Sequence, residues 1–125
     1  MTFSKKTREI VYNKYKGHCA YCGCELSISE MQIDHVDSKF LAQYHNKEID
    51  NSIGNLMPAC RMCNFYKSSS NLEGFRKNLN VILKDSCKKF FTVRLAIKYG
   101  FLSVGEWDGK FYFERKEQDK SNEIS

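Results

Sequence analysis

The chain has 125 residues, and its 42% hydrophobic and 28% charged residues with a single proline are typical of one folded globular domain, not of a disordered chain. No stretch approaches the roughly 18–20 apolar residues of a membrane helix, and the N-terminus lacks the apolar segment of a signal peptide, so we expect a cytoplasmic protein. The net charge of +5 suits a polyanionic partner without requiring one.

The first predicted element is an amphipathic helix from Lys5 to Lys16, in which Ile10, Val11 and Tyr15 recur at near-helical spacing and Gly17 follows as terminator. The segment His18–Cys24 is too rich in cysteine and glycine for regular structure. It predicts a tight metal-binding turn.

A strand is predicted at Met31–Val36, and a polar loop follows at Asp37–Gly54, with a short helical turn around Phe40–Tyr44. This loop is long for a compact domain, which indicates a function. Asn55–Pro58 is expected to form a second strand or its approach. A helix beginning near Cys60 is expected next.

Three serines, Ser68–Ser70, end that helix, and Asn71 can cap another one. The apolar residues that predict this next helix are Leu72, Phe75, Leu79, Ile82 and Leu83. A further helix is predicted at Ser86–Tyr99. Alternation on either side of Asp108-Gly109, through Phe101–Val104 and Lys110–Phe113, predicts a β-hairpin. These predictions give an α+β fold with a core at 1–70, an extension at 71–113 packed on it in the same domain, and a flexible tail at 114–125.

Six cysteines in a reducing compartment are more suited to metal binding than to disulfides. Cys19-x-x-Cys22 and Cys60-x-x-Cys63 have the same spacing, and four thiolates so arranged can close a tetrahedral zinc site. Such a site leaves no open position for water, so its zinc is structural. Redox-active or merely buried thiols are the alternative.

Two other cysteines and one histidine are weaker candidates for zinc ligands. Cys24 could replace Cys22 as a ligand, although the matching spacing of the second pair argues against it. Cys87 is interpreted as an inert thiol, and His18 as an exposed neighbour of the zinc turn.

Five elements in order carry a resemblance to a known family. They are C-x-x-C (19–22), Asp34-His35, Asn55-Leu56, C-x-x-C (60–63) and N-x-x-K (64–67). This constellation closely resembles the HNH endonucleases, also called ββα-metal or His-Me finger nucleases. The resemblance covers roughly Arg8 to Lys67, about half of the chain.

The resemblance implies a ββα unit that holds one catalytic divalent cation against the scissile phosphate. It implies that Asp34 and Asn64 are metal ligands, His35 is the general base, and Asn55 braces the loop that holds the base. The family often has histidine where Asn64 stands, and an amide oxygen favours Mg²⁺ or Mn²⁺. Lys67, one turn after Asn64, would bind the same phosphate.

The chemistry agrees with these roles, because phosphodiester hydrolysis needs a deprotonated water and a cation to neutralise the departing oxygen. An imidazole can accept the proton near neutral pH, and the cation acts as a Lewis acid. Each residue taken alone has an ordinary structural explanation. Asp34 and His35 could be a surface pair, Asn55 a turn former, Asn64 a residue at the start of a helix and Lys67 a solvated lysine. His45 could be a substrate contact or a replacement ligand, although an exposed loop residue is the simpler interpretation.

The expected substrate is DNA, and RNA is the alternative. The resemblance implies a phage or bacterial enzyme that acts in genome packaging, restriction of foreign DNA or movement of mobile elements. Sequence recognition would come from the second half of the chain. Its basic residues Lys88, Lys89, Arg94 and Lys98 are followed by the aromatic residues Trp107, Phe111 and Tyr112. The alternative is that these aromatic residues form part of the core. Monomer and homodimer both remain open. The rival hypothesis is a non-catalytic zinc module that binds nucleic acid. A deaminase is set aside because its H-x-E and P-C-x-x-C signature is missing.

Overall fold

The computed structural model describes residues 3–37 and 48–124, and within them it has the predicted α+β architecture. Contacts divide the chain into two compact units. Unit 1 comprises Met1–Leu72 and Lys110–Ser125, and unit 2 comprises Glu73–Gly109. In the described part of the chain, none of the helices has the length and apolar character needed to cross a membrane. The predicted helical turn at Phe40–Tyr44 lies outside the described residues.

Unit 1 begins with helix α1, Lys5–Asn13, whose first turn is capped by the Ser4 hydroxyl accepting from the Thr7 amide. The helix ends three residues earlier than predicted. The chain then takes two left-handed conformations, at Lys16 (φ 54°) and Gly17 (φ 80°). A Cβ at residue 17 would lie 2.8 Å from the Tyr12 hydroxyl oxygen, so both backbone angle and space require glycine there.

A two-stranded antiparallel sheet and one helix form the centre of unit 1. The strands pair Asp34 with Met57 and His35 with Leu56, which brings the two middle motifs of the sequence side by side. The elements are β1 (Gln32–His35), a 3₁₀ turn (Ile53–Asn55), β2 (Leu56–Ala59) and α2 (Arg61–Lys67). Cys60 caps α2 with its sulfur, and Ser68, with φ 50°, ends it. The predicted ββα order is therefore present.

Unit 2 is mostly helical, and its surface is unusually apolar. Helix α3, Leu72–Lys77, starts in unit 1 and continues through a π-helical stretch, Asn78–Leu83, into α4, Lys84–Cys87, and α5 follows at Phe91–Lys98. The periodicity predicted this helix correctly. Its apolar side chains are nevertheless half exposed at Ile82 and Leu83.

The predicted hairpin at 101–113 is wrong, since residues 101–111 form neither strand nor helix and Tyr112 begins helix α6, Tyr112–Ile124. The alternating aromatics instead pack on the zinc turn: Phe111 and Phe113 are buried, and Tyr21 meets both rings edge-on. The Phe113 amide donates to the Ala20 carbonyl at 2.8 Å. The segment predicted to be a frayed tail is thus helical through residue 124.

Candidate functional site

The two C-x-x-C pairs meet in unit 1. The sulfurs of Cys19, Cys22, Cys60 and Cys63 all lie within 4.8 Å of one another, and those of Cys22 and Cys60 are 3.9 Å apart. Tetrahedral zinc with bonds of about 2.3 Å places its sulfurs about 3.8 Å apart, so the four thiols fit a closed zinc site. Cys24 is not in the cluster, which agrees with the choice of Cys22 as the ligand.

The thiols polarise one another even without a metal. A hydrogen bond from the Cys63 thiol lowers the pKa of Cys19 to about 4, whereas the same bond raises the pKa of Cys63. A buried thiolate next to a proton-donating thiol is the arrangement in which a cation displaces the proton. By contrast, burial raises the pKa of Cys24 to about 12, which keeps that thiol protonated.

The two residues inside the first C-x-x-C turn connect the zinc site to the sheet. The Ala20 amide donates to the Pro58 carbonyl in β2 at 2.8 Å. The Tyr21 hydroxyl donates to Asp34 Oδ2 in β1 at 2.5 Å. Burial, reinforced by the Asp34 charge, raises the pKa of Tyr21, so the phenol remains a donor. The turn therefore holds one strand by its backbone and the carboxylate by its side chain.

Asp34 is buried, and its two oxygens have different surroundings. Oδ2 accepts from Tyr21 and also lies 3.0 Å from the Lys67 ammonium. Oδ1 makes no hydrogen bond to any residue that the structure describes, and it is not closed off from solvent. One oxygen is thus held by two side chains, whereas the other has no hydrogen-bond partner among the described residues.

Lys67 lies in a position different from that of a phosphate-binding lysine. Its side chain has 0% exposure, and its ammonium is shared between Asp34 and the His35 carbonyl oxygen, at 2.9 Å from the latter. A phosphate outside the protein cannot reach a cation in this place unless the ion pair opens. In this geometry Lys67 holds the Asp34-His35 dipeptide against α2.

His35 is also buried and is held on two sides. Its Nε2 lies 2.7 Å from the side-chain oxygen of Asn51, and the Phe3 ring packs 5.9 Å from the imidazole. Its other nitrogen, Nδ1, has no hydrogen bond among the described residues. That nitrogen is the atom at which a proton could be accepted.

Asn55 connects both ends of the segment that follows His35. Its side-chain oxygen accepts from the Asp37 amide at 2.9 Å, and its side-chain nitrogen donates to the Asp50 carbonyl at 2.7 Å. Its own carbonyl accepts from the Val36 amide at 2.9 Å. These bonds join Asn55 to both ends of the segment, and its bracing role in catalysis stays a prediction.

Asn64 projects from α2 toward β1, where its side-chain nitrogen donates to Gln32 Oε1 at 2.6 Å. This bond orients the amide and leaves Asn64 Oδ1 without a partner among the described residues. Gln32 and Asp34 point to the same face of the strand, and both are bonded to α2. Asp34 and Asn64 therefore belong to one strand–helix surface.

The three side chains share one pattern. In each, one polar atom is tied by a neighbouring side chain and the other is uncommitted, at Asp34 Oδ1, Asn64 Oδ1 and His35 Nδ1. A carboxylate oxygen and an amide oxygen are donors that Mg²⁺ and Mn²⁺ prefer, so the residues fit a hard divalent cation.

Residues 19–70 match the family model described as HNH endonuclease. This segment is similar to the HNH endonuclease family. The resemblance inferred from the cysteine pairs and the residues between them is confirmed, because the matched HNH segment contains all five of its elements.

Two known proteins are similar to the chain beyond the HNH segment. YoqL, an SPbeta prophage-derived protein of Bacillus subtilis (strain 168) named as a predicted HNH endonuclease, is 28% identical over 109 residues. The match covers 84% of this chain but only 41% of YoqL. The crystal structure of the Type II-C Cas9 enzyme from Actinomyces naeslundii superposes with a TM-score of 0.52 at 20% identity, over 64% of this chain and 9% of Cas9. At that identity the likeness shows the fold alone.

The sequence did not predict three residues that hold the site. They are Tyr21, Gln32 and Asn51, which bond Asp34, Asn64 and His35 respectively. Tyr21 and Gln32 had detectable signals, since Tyr21 lies inside the zinc turn and Gln32 is two residues before Asp34 on a strand. Asn51 had no such signal, because its contact with His35 depends on the path of the loop between them. His45 lies outside the described residues.

Unit 2 carries a surface of a different kind. On α5 the exposed residues Phe91, Arg94, Leu95 and Lys98 recur at three- and four-residue spacing, so they share one face. The sequence from 86 to 105 includes Lys88 and Lys89 and contains no acidic residue. Of the aromatics predicted to contact nucleic acid, Phe111 is instead buried in unit 1.

Proposed function

We propose that this chain is a metal-dependent endonuclease that hydrolyses phosphodiester bonds of DNA, nicking or cutting the duplex. The observation that carries the proposal is the set of three uncommitted atoms, Asp34 Oδ1, Asn64 Oδ1 and His35 Nδ1, on side chains whose other polar atoms are fixed. Similarity of residues 19–70 to the HNH family supports the same reaction class.

Each residue of the site then has a defined task. Asp34 and Asn64 would hold Mg²⁺ or Mn²⁺, which when bound supplies Lewis-acid stabilisation of the phosphate charge and the leaving oxygen. His35 accepts a proton from the attacking water at Nδ1. Asn55 fixes the loop beside the base. Lys67, predicted to bind substrate, is assigned here to holding Asp34 and the His35 carbonyl in place.

The zinc site is proposed to be structural, since four thiolates fill a tetrahedral shell and leave no position for water. A thiolate site persists in a reducing compartment, which supports action in the bacterial cytoplasm. The prophage origin of YoqL supports a phage type of enzyme, with packaging or restriction partners.

DNA is proposed as the substrate, with RNA as the alternative that the assay includes. The exposed basic and aromatic face of α5 supports a polyanionic partner, because cations bind phosphates and aromatic rings stack on bases. One active centre per chain supports nicking by a monomer, and a homodimer would be needed for simultaneous cutting of both strands.

The test is conversion of supercoiled plasmid to nicked or linear forms in EDTA, Mg²⁺ or Mn²⁺, beside single-stranded DNA and RNA. We expect activity that needs added cation and falls at least about 100-fold in His35→Ala, since a general base contributes about that much. Asn64→Leu is expected to lose activity at every cation concentration, whereas Asn64→Asp retains an oxygen ligand. Zinc content and melting temperature are measured for every variant.

The matched control is Asn13→Ala, since Asn13 is an exposed residue of α1 whose side chain makes no hydrogen bond among the described residues. Activity that is absent from wild type on all three substrates, with binding retained, would reject the nuclease. The non-catalytic zinc module that binds nucleic acid would then be the better explanation. His45→Ala tests whether that histidine replaces a ligand.

A further inference from the structure

Asn51 lies outside every motif described so far, yet its side chain contacts the proposed base directly. Its Oδ1 is 2.7 Å from His35 Nε2, a short hydrogen bond in a half-buried setting. An amide oxygen can only accept, so the proton of this bond belongs to the imidazole. The contact therefore distinguishes the two nitrogens of His35.

A neutral imidazole carries one proton, which can reside on either nitrogen. If Nε2 holds the proton and donates it to Asn51, then Nδ1 carries the lone pair. Nδ1 is also the nitrogen without a hydrogen bond among the described residues. The Asn51 bond thus selects the tautomer in which the uncommitted nitrogen is the basic one.

The position of Asn51 is itself fixed by its neighbours. The Asp50 carbonyl accepts from the Asn55 side chain at 2.7 Å, and Asp50 Oδ1 accepts from the Ser52 amide at 2.9 Å. The residues on both sides of Asn51 are therefore tied, and the short turn keeps its side chain directed at His35. On another side the centroid of the Phe3 ring lies 5.9 Å from that of the imidazole.

We propose that Asn51 is the positioning residue of the base, which holds His35 in the Nε2–H tautomer and keeps Nδ1 available to accept a proton. The importance of the bond for catalysis rests on the proposed function, whereas its effect on the tautomer does not. Asn55 then acts one step further away, by fixing the backbone that carries Asn51.

The direct test is nitrogen-15 NMR of the imidazole, recorded at alkaline pH. The chain has three histidines, and His35→Ala assigns the relevant signals. We expect wild type to show protonated Nε2 and unprotonated Nδ1. Asn51→Ala should give a mixture of tautomers, and Asn51→Asp, which keeps an acceptor oxygen, should restore the Nε2–H form.

The kinetic arm uses the plasmid assay with the same variants and Asn13→Ala as control. Asn51→Ala should lower kcat by about 100-fold with KM unchanged, which is the size of effect that misorientation of a catalytic group produces. Asn51→Asp should recover most of this loss. Retention of the single tautomer by Asn51→Ala, or a kcat equal to that of Asn13→Ala, would overturn the proposal.

The two readouts separate failure of this inference from failure of the proposed function. If wild type cleaves nothing, the nuclease proposal fails, and the NMR result still decides whether Asn51 sets the tautomer. If wild type cleaves and the tautomer is unchanged in Asn51→Ala, only the positioning role is rejected. Melting temperature and zinc content exclude loss of fold as the cause.

Discussion

Replacing Lys67 with methionine removes a buried cation while keeping most of its apolar stem. In the structure its ammonium lies 3.0 Å from Asp34 Oδ2 and donates to the His35 carbonyl at 2.9 Å, with 0% side-chain exposure. The substitution leaves a carboxylate with 8% exposure without its counter-charge. It also leaves a buried carbonyl without this donor.

Breaking a buried ion pair by removing one partner costs about 3–5 kcal/mol, because the remaining charge is desolvated and uncompensated. The total stability of a small domain is about 5–15 kcal/mol, so Lys67→Met should remove a large part of the stability of unit 1. Adding Asp34→Asn removes the orphaned charge. The double variant is therefore expected to be more stable than Lys67→Met alone, which gives a double-mutant cycle with a large coupling energy.

The assay is urea unfolding at fixed zinc concentration, with zinc release as the probe of unit 1 and circular dichroism as a probe of the helices of both units. The only tryptophan of the chain, Trp107, lies in unit 2 and reports that unit by fluorescence. Lys84→Met is the matched control, since Lys84 pairs with Glu106, which is 82% exposed, and such pairs contribute little. Equal unfolding midpoints for Lys67→Met and Lys84→Met would refute the reasoning.

Three further predictions concern the metal turn and unit 2. Cys22→Ser should weaken zinc binding and lower the melting temperature, whereas Cys24→Ser should keep one zinc per chain by native mass spectrometry. Tyr21→Phe removes a hydrogen-bond donor to a charged carboxylate, so we expect the free energy of unfolding in urea to fall by about 1.5–3 kcal/mol and kcat to fall as well. An unchanged kcat would contradict the assigned contact. Changing Arg94 and Lys98 together to glutamine should weaken DNA binding and reduce the salt slope by about 1–2, as measured by fluorescence anisotropy.

The residues that carry chemistry could be predicted from sequence because their identity and order are specific. Two C-x-x-C pairs, a D-H dipeptide and N-x-x-K need only spacing to be detected, and spacing is what a sequence contains. The structure brings Asp34, His35, Asn55 and Asn64 to one strand–helix unit, as the resemblance implied. Their catalytic roles remain predictions.

Not all of the residues that hold this chemistry could be predicted, because some of their contacts depend on three-dimensional register. Lys67 illustrates the difficulty. Its position one turn after Asn64 indicated a phosphate contact, but the path of α2 against β1 directs its ammonium inward to Asp34. Helical spacing gives the side of a helix, and only the packing of that helix shows whether the side faces solvent.

The hairpin prediction was wrong for a related reason. Alternating aromatics beside Asp108-Gly109 favour strands, but the alternation arises because Phe111 and Phe113 both pack on Tyr21 in the zinc turn. The helix that starts at Tyr112 lacks the usual capping residues before it. Instead the Glu114 side chain accepts from the Phe111 amide at 2.8 Å, which is the Glu half of a capping box, and the signature is incomplete because Phe111 stands where the box has Ser or Thr.

The turn that contains Cys19 and Cys22 is hydrogen-bonded directly to the candidate site. Of its two inner residues, Ala20 bonds the backbone of β2 and Tyr21 bonds the Asp34 carboxylate, so a metal bound by the turn would also fix both strands. A small ββα unit has little core of its own with which to hold catalytic side chains rigidly. Because the turn is closed by the sulfurs of Cys19 and Cys22, loss of zinc should release the Tyr21 hydroxyl from Asp34 before the rest of the chain unfolds. Zinc in this protein would then set the geometry of the carboxylate proposed as a metal ligand as well as the stability of the fold.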